Sequence, residues 1–208
     1  MSVRRNAFDQ PIGAALPDWR PVPLPPYTPM VGAYCRVEPI DYMRHADDLF
    51  AAFREDKDGR NWTYMPHGPL PDRAAFDPWM DARCRSLDPM FHAIVDPANG
   101  VAAGIASFMR IDPRIGSIEV GYINFSPRLQ RTRLASEAMY LMMRRVFDEL
   151  GYRRYEWKCD SANLPSRRAA ERFGFTYEGL FRQATIYKGR NRDTAWYAIL
   201  DSEWPGIK

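Results

Sequence analysis

The sequence predicts a mixed α/β domain, a central sheet flanked by helices, and two observations carry the prediction. Three strand-like runs follow one another from Phe91 to Phe125, separated by the hairpin signal Asn99-Gly100 and by a polar turn at Asp112 to Gly116. Beyond Phe125 the apolar period changes. Met139, Met142, Met143, Val146, Phe147 and Leu150 form one helical stripe, and Gly151 ends it in the manner of a C-terminal cap. Hairpins interleaved with amphipathic helices give a mixed sheet with helices packed against it.

The remaining elements follow in order. Residues 1–30 contain seven of the eighteen prolines, so they form an arm, with Trp19 and Tyr27 as anchors, ahead of a folded domain over 31–208. A short strand at Tyr34 to Glu38 precedes a helix over Asp41 to Arg54, with Asp41 as its cap. Residues 56–71, DKDGRNWTYMPHGPLP, are polar, aromatic and rich in breakers, and read as a loop; Asp72 to Leu87 is helical around Pro78. After the long helix, RYEWKC at 154–159 alternates charge with Tyr155, Trp157 and Cys159, a strand with one buried face. Leu164 to Phe173 is a helix with Pro165 in its first turn and Gly174 closing it. Strands at Phe175 to Tyr177 and at Thr185 to Leu200, the latter broken by a turn at Gly189 to Arg192, complete the chain.

Composition excludes several classes. The 208 residues carry a formal charge of only +3, unlike a dedicated nucleic-acid binder, and the arginine pairs at 144–145, 153–154 and 167–168 are balanced by nearby carboxylates. Cys35, Cys84 and Cys159 are widely spaced, as are His45, His67 and His92, so neither a disulfide framework nor a metal site is expected. No apolar run approaches the ~20 residues of a membrane span. The expected setting is cytoplasmic, without nucleic acid, membrane or metal.

Three constellations carry chemistry. In SPRLQRTRLASEAM, following Phe125, Arg128, Arg131 and Arg133 crowd a strand-to-helix junction that has no glycine. A helix start offers free N–H groups and the positive end of the dipole to phosphate, with Gln130 and Thr132 able to add side-chain hydrogen bonds. The same stretch also reads as a solvated basic turn. Asn163 and Ser166 offer amide and hydroxyl groups to an amide-bearing chain, although Asn163 also reads as a helix cap. Glu119 is a carboxylate in an otherwise apolar strand, either a base facing a cleft or a solvated side chain.

The order IEVGYINFSP, QRTRLASEAM, NLPSRRAAERFGF and YEG, with YKGRNRDTAWYAIL at the tail and VEPIDYMRHADDLF upstream, resembles the GCN5-related N-acetyltransferase (GNAT) superfamily over about residues 35–202. The branch most resembled is the RimJ/RimL type of ribosomal-protein N-terminal acetyltransferases. The resemblance implies a GNAT fold, a mixed sheet splayed at an acetyl-CoA site between the strands ending at Phe125 and Cys159. It implies direct acetyl transfer to a primary amine of a small molecule or a protein N-terminus. Backbone of Ile123, Asn124 and Phe125 would meet the cofactor arm and polarise the thioester. Gln130, Arg131, Thr132, Arg133, Leu134 and Ala135 would hold the diphosphate, and Asn163 and Ser166 the pantetheine end. Arg133 stands at a family glycine while Ala135 keeps the small residue of the last position; the expected consequence is a helical backbone at Arg133 with arginine charge in place of glycine access, and the alternative is weakened or lost cofactor binding. The family's tyrosine acid is absent, because Ala170 stands there; Ser166 is the substitute candidate for contacting the sulfur, with water as the alternative proton donor. Glu119 is the candidate general base. Trp62, Tyr64, His67 and Tyr187 would form the acceptor pocket, and Asp56, Asp58 and Glu119 would favour a cationic acceptor. A homodimer is compatible with exposed aromatic residues in the last strands. The alternative is a non-catalytic acyl-CoA sensor or scaffold with a degenerate site.

Overall fold

The computed structural model describes residues 4–208; the first three residues of the expected arm lie outside the described residues. One sheet of eight strands runs in the order β3-β4-β5-β6-β7-β8-β10-β9. Its members are β3 (Met30–Val31), β4 (Arg36–Pro39), β5 (Met90–Val95), β6 (Ala102–Asp112), β7 (Ser117–Phe125), β8 (Arg154–Asp160), β9 (Thr176–Tyr187) and β10 (Arg190–Leu200). A separate two-residue pair, β1 (Arg4–Arg5) with β2 (Pro11–Ile12), precedes it. Every neighbouring pair in the large sheet is antiparallel except β7 with β8. A parallel pair needs a crossover, and helix α3 (Arg133–Arg144) supplies it.

Alternation along the strands sends side chains to two cores. On one face Val37, Ile94, Phe108, Ile118, Val120, Tyr155 and Trp157 pack against α3 and helix α4 (Leu164–Arg172). On the other, Phe91, Ala93, Val95 and Ile105 meet α1 (Tyr42–Phe53) and α2 (Arg73–Cys84) through Leu49, Phe76, Trp79 and Met80. Each fully buried Leu or Phe among them contributes roughly 1.5–3 kcal/mol. Asp41 and Asp72 cap α1 and α2 as N-terminal acceptors. A short C-terminal helix, α5 (Trp204–Ile207), lays Trp204 on Phe147, ring centroids 5.4 Å apart.

Two expectations need correction. The long helix is regular only to Arg144; Arg145–Glu149 forms a π turn in which Leu150 N donates to the Arg145 carbonyl. The apolar stripe continues through that turn, which is why the pattern reads as one helix. The terminal strands were misdivided: β9 is twelve residues long, and the turn after it lies at Lys188-Gly189. β9 is an edge strand exposed along nearly its whole length, so it carries no buried period to read.

The arm packs at the end of the sheet where β7 begins. Trp19 Nε1 donates to the Arg114 carbonyl at 2.7 Å, Val22 N to Pro113 O at 3.1 Å, and the Arg153 guanidinium lies 5.8 Å from the Trp19 ring centre. The Tyr27 hydroxyl donates to Ser86 O at 2.8 Å. None of these contacts reaches the C-terminal end of β7.

Candidate active site

β7 and β8 pair only over Ser117–Val120 and Arg154–Trp157, then part. A bulge against β6 is the cause. Ile105 faces Asn124 and Ser107 faces Gly121, so Tyr122 and Ile123 together oppose the single residue Ala106. Tyr122 takes φ 48°, and Ser107 Oγ holds the bulge by donating to the Gly121 carbonyl at 3.0 Å. A bulge increases local twist and leads its strand away from the partner. The irregularity expected at Ile123 to Phe125 thus begins at Tyr122. Beyond Val120 the β8-facing backbone groups of β7 have no strand partner.

The gap opens into a cavity of about 480 Å³ bounded by β7, β8, the β9–β10 hairpin and the loop between α1 and α2. The loop is bonded to three sides. Asn61 Nδ2 donates to Phe125 O at 3.2 Å, the Tyr64 hydroxyl to Ala162 O at 3.1 Å, and Lys188 Nζ to Trp62 O at 2.7 Å. Tyr64 and Tyr187 line the cavity as expected. Trp62 and His67 do not: Trp62 is buried beneath it against Phe53 and Trp79, and His67 stacks on Tyr122, centroids 6.1 Å apart. Gly68, at φ 79°, lies so close that a Cβ there would stand 2.1 Å from the Trp62 ring. Burial, then the charges of Arg83 and Lys188, lower the His67 pKa to about 4, so its ring is neutral and accepts from Arg83 Nη2 at 2.7 Å.

Glu119 is 3% exposed and belongs to a chain of alternating charges across one face of the sheet. Its Oε2 meets Arg110 Nη1 at 2.7 Å and Lys158 Nζ at 2.9 Å. Lys158 also meets Glu156 at 2.6 Å, Arg154 meets Glu156 at 2.6 Å, and Arg154 Nη1 donates to Glu178 at 2.8 Å. Burial would raise the Glu156 carboxyl, yet hydrogen bonds from Lys158 and Arg154 bring it below its ordinary value. Lys158 Nζ also lies 3.8 Å from the Trp196 ring centre, a cation–π contact. Glu119 lines the cavity with its Oε2 held by two cations.

At the far end of β8, Asp160 accepts from the Tyr187 hydroxyl at 2.7 Å and from Ala162 N at 2.8 Å. Burial first, and then this bond to a carboxylate, push the Tyr187 pKa up to about 12. Asn163 caps α4, accepting from Ser166 N at 3.2 Å, while both side chains line the cavity. Trp157 Nε1 donates to Ser166 Oγ at 3.0 Å, which leaves the Ser166 hydroxyl proton free to be donated elsewhere.

The glycine-free junction is built without strain at Arg133. Leu129, 2% exposed, anchors the turn, and Leu129 N and Gln130 N donate to Ser126 O. Arg131 takes the left-handed conformation, φ 61°. Thr132 caps α3 by accepting from Ala135 N at 3.1 Å, so Arg133 and Leu134 begin a regular helix. This helical backbone is the one expected. Arg128 pairs with Glu55 at 3.0 Å, whereas Arg131 and Arg133 are exposed and have no carboxylate partner among the described residues. The Gln130 side chain donates to Phe125 O at 2.9 Å and to Asn61 at 3.0 Å, joining the junction to the roof loop. Asn124 is buried and Phe125 half-buried beside it, with Asn124 Nδ2 lacking a hydrogen-bond partner. Gly104 makes the close approach possible: a Cβ there would lie 2.6 Å from Leu129 Cδ2 and 3.0 Å from Asn124 O. Unpaired strand backbone, a free-standing helix start and two unpaired arginines fit an elongated, phosphate-bearing co-substrate.

Sequence reasoning missed Lys158, Asp160, Arg192 and Asn61. The charge alternation of RYEWKC contained Lys158, but it read as a solvated face; Asn61 carried no local signal.

Comparison with known proteins agrees with this architecture. The family model for an acetyltransferase (GNAT) domain matches residues 37–176. The fold superposes on a GCN5-related N-acetyltransferase from Brucella melitensis with TM-score 0.91 and 50% identity, covering 93% of this chain and 87% of that one. A GNAT-family acetyltransferase structure from Chromobacterium violaceum gives 0.87 and 39%, covering 94% and 98%. The ribosomal-protein-serine acetyltransferase of Escherichia coli K12 is 32% identical over 101 residues, 48% of this chain and 56% of that protein. The chain spans about half the length of the curated relatives it matches. A bulged, splayed parallel pair followed by a capped basic helix start, read together with a family match across most of the sheet, makes this chain a member of the GNAT acetyltransferase family.

Proposed function

We propose that the protein transfers an acetyl group from acetyl-CoA directly to a primary amine. The observation that supports this most is the coincidence of the β7–β8 splay, with Glu119 and Ser166 both lining it, and an arginine-bearing helix start one turn beyond. Backbone of Ile123, Asn124 and Phe125, the junction from Gln130 to Ala135, and Asn163 would hold the co-substrate, which supplies an activated acyl group. Glu119, through a water, takes the proton that an ammonium must lose before it can attack. Unpaired N–H groups at the bulge are suited to the developing oxyanion. Ser166, oriented by Trp157, faces the departing thiolate, and the Tyr187–Asp160 pair borders the acceptor side. The relatives' names include a ribosomal-protein acetyltransferase, which keeps a protein N-terminus among the acceptors alongside small amines.

Calorimetric titration of acetyl-CoA tests the reading, followed by thiol release with an amine panel. Micromolar binding is the expected result. A folded sample that does not bind acetyl-CoA sinks the proposal, and one that binds but supports no turnover favours the sensor reading.

A further inference from the structure

The cavity is lined by three cations, Arg110, Lys158 and Arg192, against two carboxylates, Glu119 and Asp160. Both carboxylates are already engaged, Glu119 by Arg110 and Lys158 and Asp160 by Tyr187 and a backbone N–H. Arg192 is different. Its Nε is buried without a hydrogen-bond partner, and no carboxylate lies within ion-pairing distance of it among the described residues. A buried guanidinium donor left unpaired is costly, and here the described residues supply no carboxylate to complete its bonding. Of the three acidic residues expected to favour a cationic acceptor, Glu119 lines the cavity and the other two do not. Asp58 pairs with Arg60, Asp56 accepts from Asn61 N, and neither lines the cavity.

We infer that Arg192 anchors a carboxylate on the acceptor, so the natural acceptor is an amine that carries its own carboxylate. Guanidinium and carboxylate match in geometry as two parallel hydrogen bonds, and a half-enclosed cavity strengthens the pair. Position along β10 sets the polarity of binding. Trp196 stacks on Lys158 beside Glu119, and Arg192 lies four residues on, about 13 Å of strand rise away. The acceptor amine therefore points toward the Glu119 end and its carboxylate toward the hairpin tip. A short peptide with its C-terminus intact, whose amine and carboxylate stand far enough apart to reach both ends of the cavity, has this chemistry; a polyamine does not.

This inference rests on the acetyl-transfer reading, and the experiment separates the two. Acetyl-CoA binding is measured by calorimetry for the wild type, Arg192→Gln and Arg192→Lys. Thiol release is then followed with di- and tripeptides against their C-terminal amides. The expected result is a kcat/KM at least tenfold higher for the carboxylates, lost through KM in Arg192→Gln and partly kept in Arg192→Lys, with unchanged acetyl-CoA affinity. Three outcomes overturn the inference while leaving acetyl transfer intact: equal use of acids and amides, a carboxylate preference that survives in Arg192→Gln, or turnover of carboxylate-free amines alone. Loss of acetyl-CoA affinity in Arg192→Gln would assign the residue to the co-substrate and also overturn it. Failure of the wild type to bind acetyl-CoA removes both readings.

Discussion

The two halves of the β7–β8 seam differ in almost every respect except sequence polarity. Over Ser117–Val120 the strands are zipped in parallel register, Ile118 and Tyr155 are wholly buried, and the outer face is held by a neutral chain of ion pairs. Over Gly121–Phe125 the pairing is gone, a non-glycine residue sits at positive φ, and the space is cavity. One extra residue opposite Ala106 separates the two regimes. A cleft of this kind needs both: the zipped half is the hinge that keeps the open half from collapsing.

Substitutions in each half sharpen the contrast. The largest stability effect belongs to Lys158→Met in the zipped half, about 3 kcal/mol, because it leaves Glu119 and Glu156 buried with one arginine each. Denaturant melts check it, and a loss below about 1 kcal/mol would mean the charge chain does not hold the seam. Glu119→Gln, isosteric, should cost about 100-fold or more in kcat with acetyl-CoA affinity little altered, and should lower the melting temperature because Arg110 and Lys158 lose a shared carboxylate. Steady-state kinetics beside calorimetry decide it. In the open half, Gly104→Ala should cost about 1–3 kcal/mol, since its Cβ would press on Leu129 and the Asn124 carbonyl, and should weaken acetyl-CoA binding by displacing the junction. Thr132→Ala removes the α3 cap, for about 1 kcal/mol.

The smallest effect is one of pH. His67 packs on Tyr122, and its pKa falls from an ordinary 6.5 to about 4 on folding, by burial first. The unfolded chain binds the proton more readily, so His67 lowers stability as pH falls from about 6.5 to about 4 and has no such effect above that window. A His67→Gln variant should show a shallower decline of melting temperature across this range. An unchanged slope would place the acid sensitivity elsewhere.

Much of the fold was legible because each buried element carries its period. The β5–β6–β7 meander, α1 with its Asp41 cap and α4 with Pro165 all read directly. β9 did not, because an edge strand exposed on both faces has no buried side to alternate. The site was legible where chemistry is local. The junction from Gln130 to Ala135 and the pair Asn163 and Ser166 are continuous in sequence, and their positions follow from a strand end and a helix start. Lys158 and Arg192 were not legible, since their burial is produced by the hairpin and the roof loop, which approach from distant parts of the chain. Trp62 and His67 erred in the opposite sense. Aromatic residues in a polar loop suggest a binding surface, but these fold inward onto Trp79 and Tyr122 and support the wall from behind.

The chain from Arg110 to Glu178 also has a consequence for how such sequences diverge. Each interior member neutralises two neighbours, so no single charge can be exchanged without stranding another in a poorly hydrated place. Changes along it should be inherited in compensating pairs, a lost carboxylate accompanied by a lost amine or guanidinium on the adjoining strand. Residues far apart in the chain, on four separate strands, would then drift as one unit.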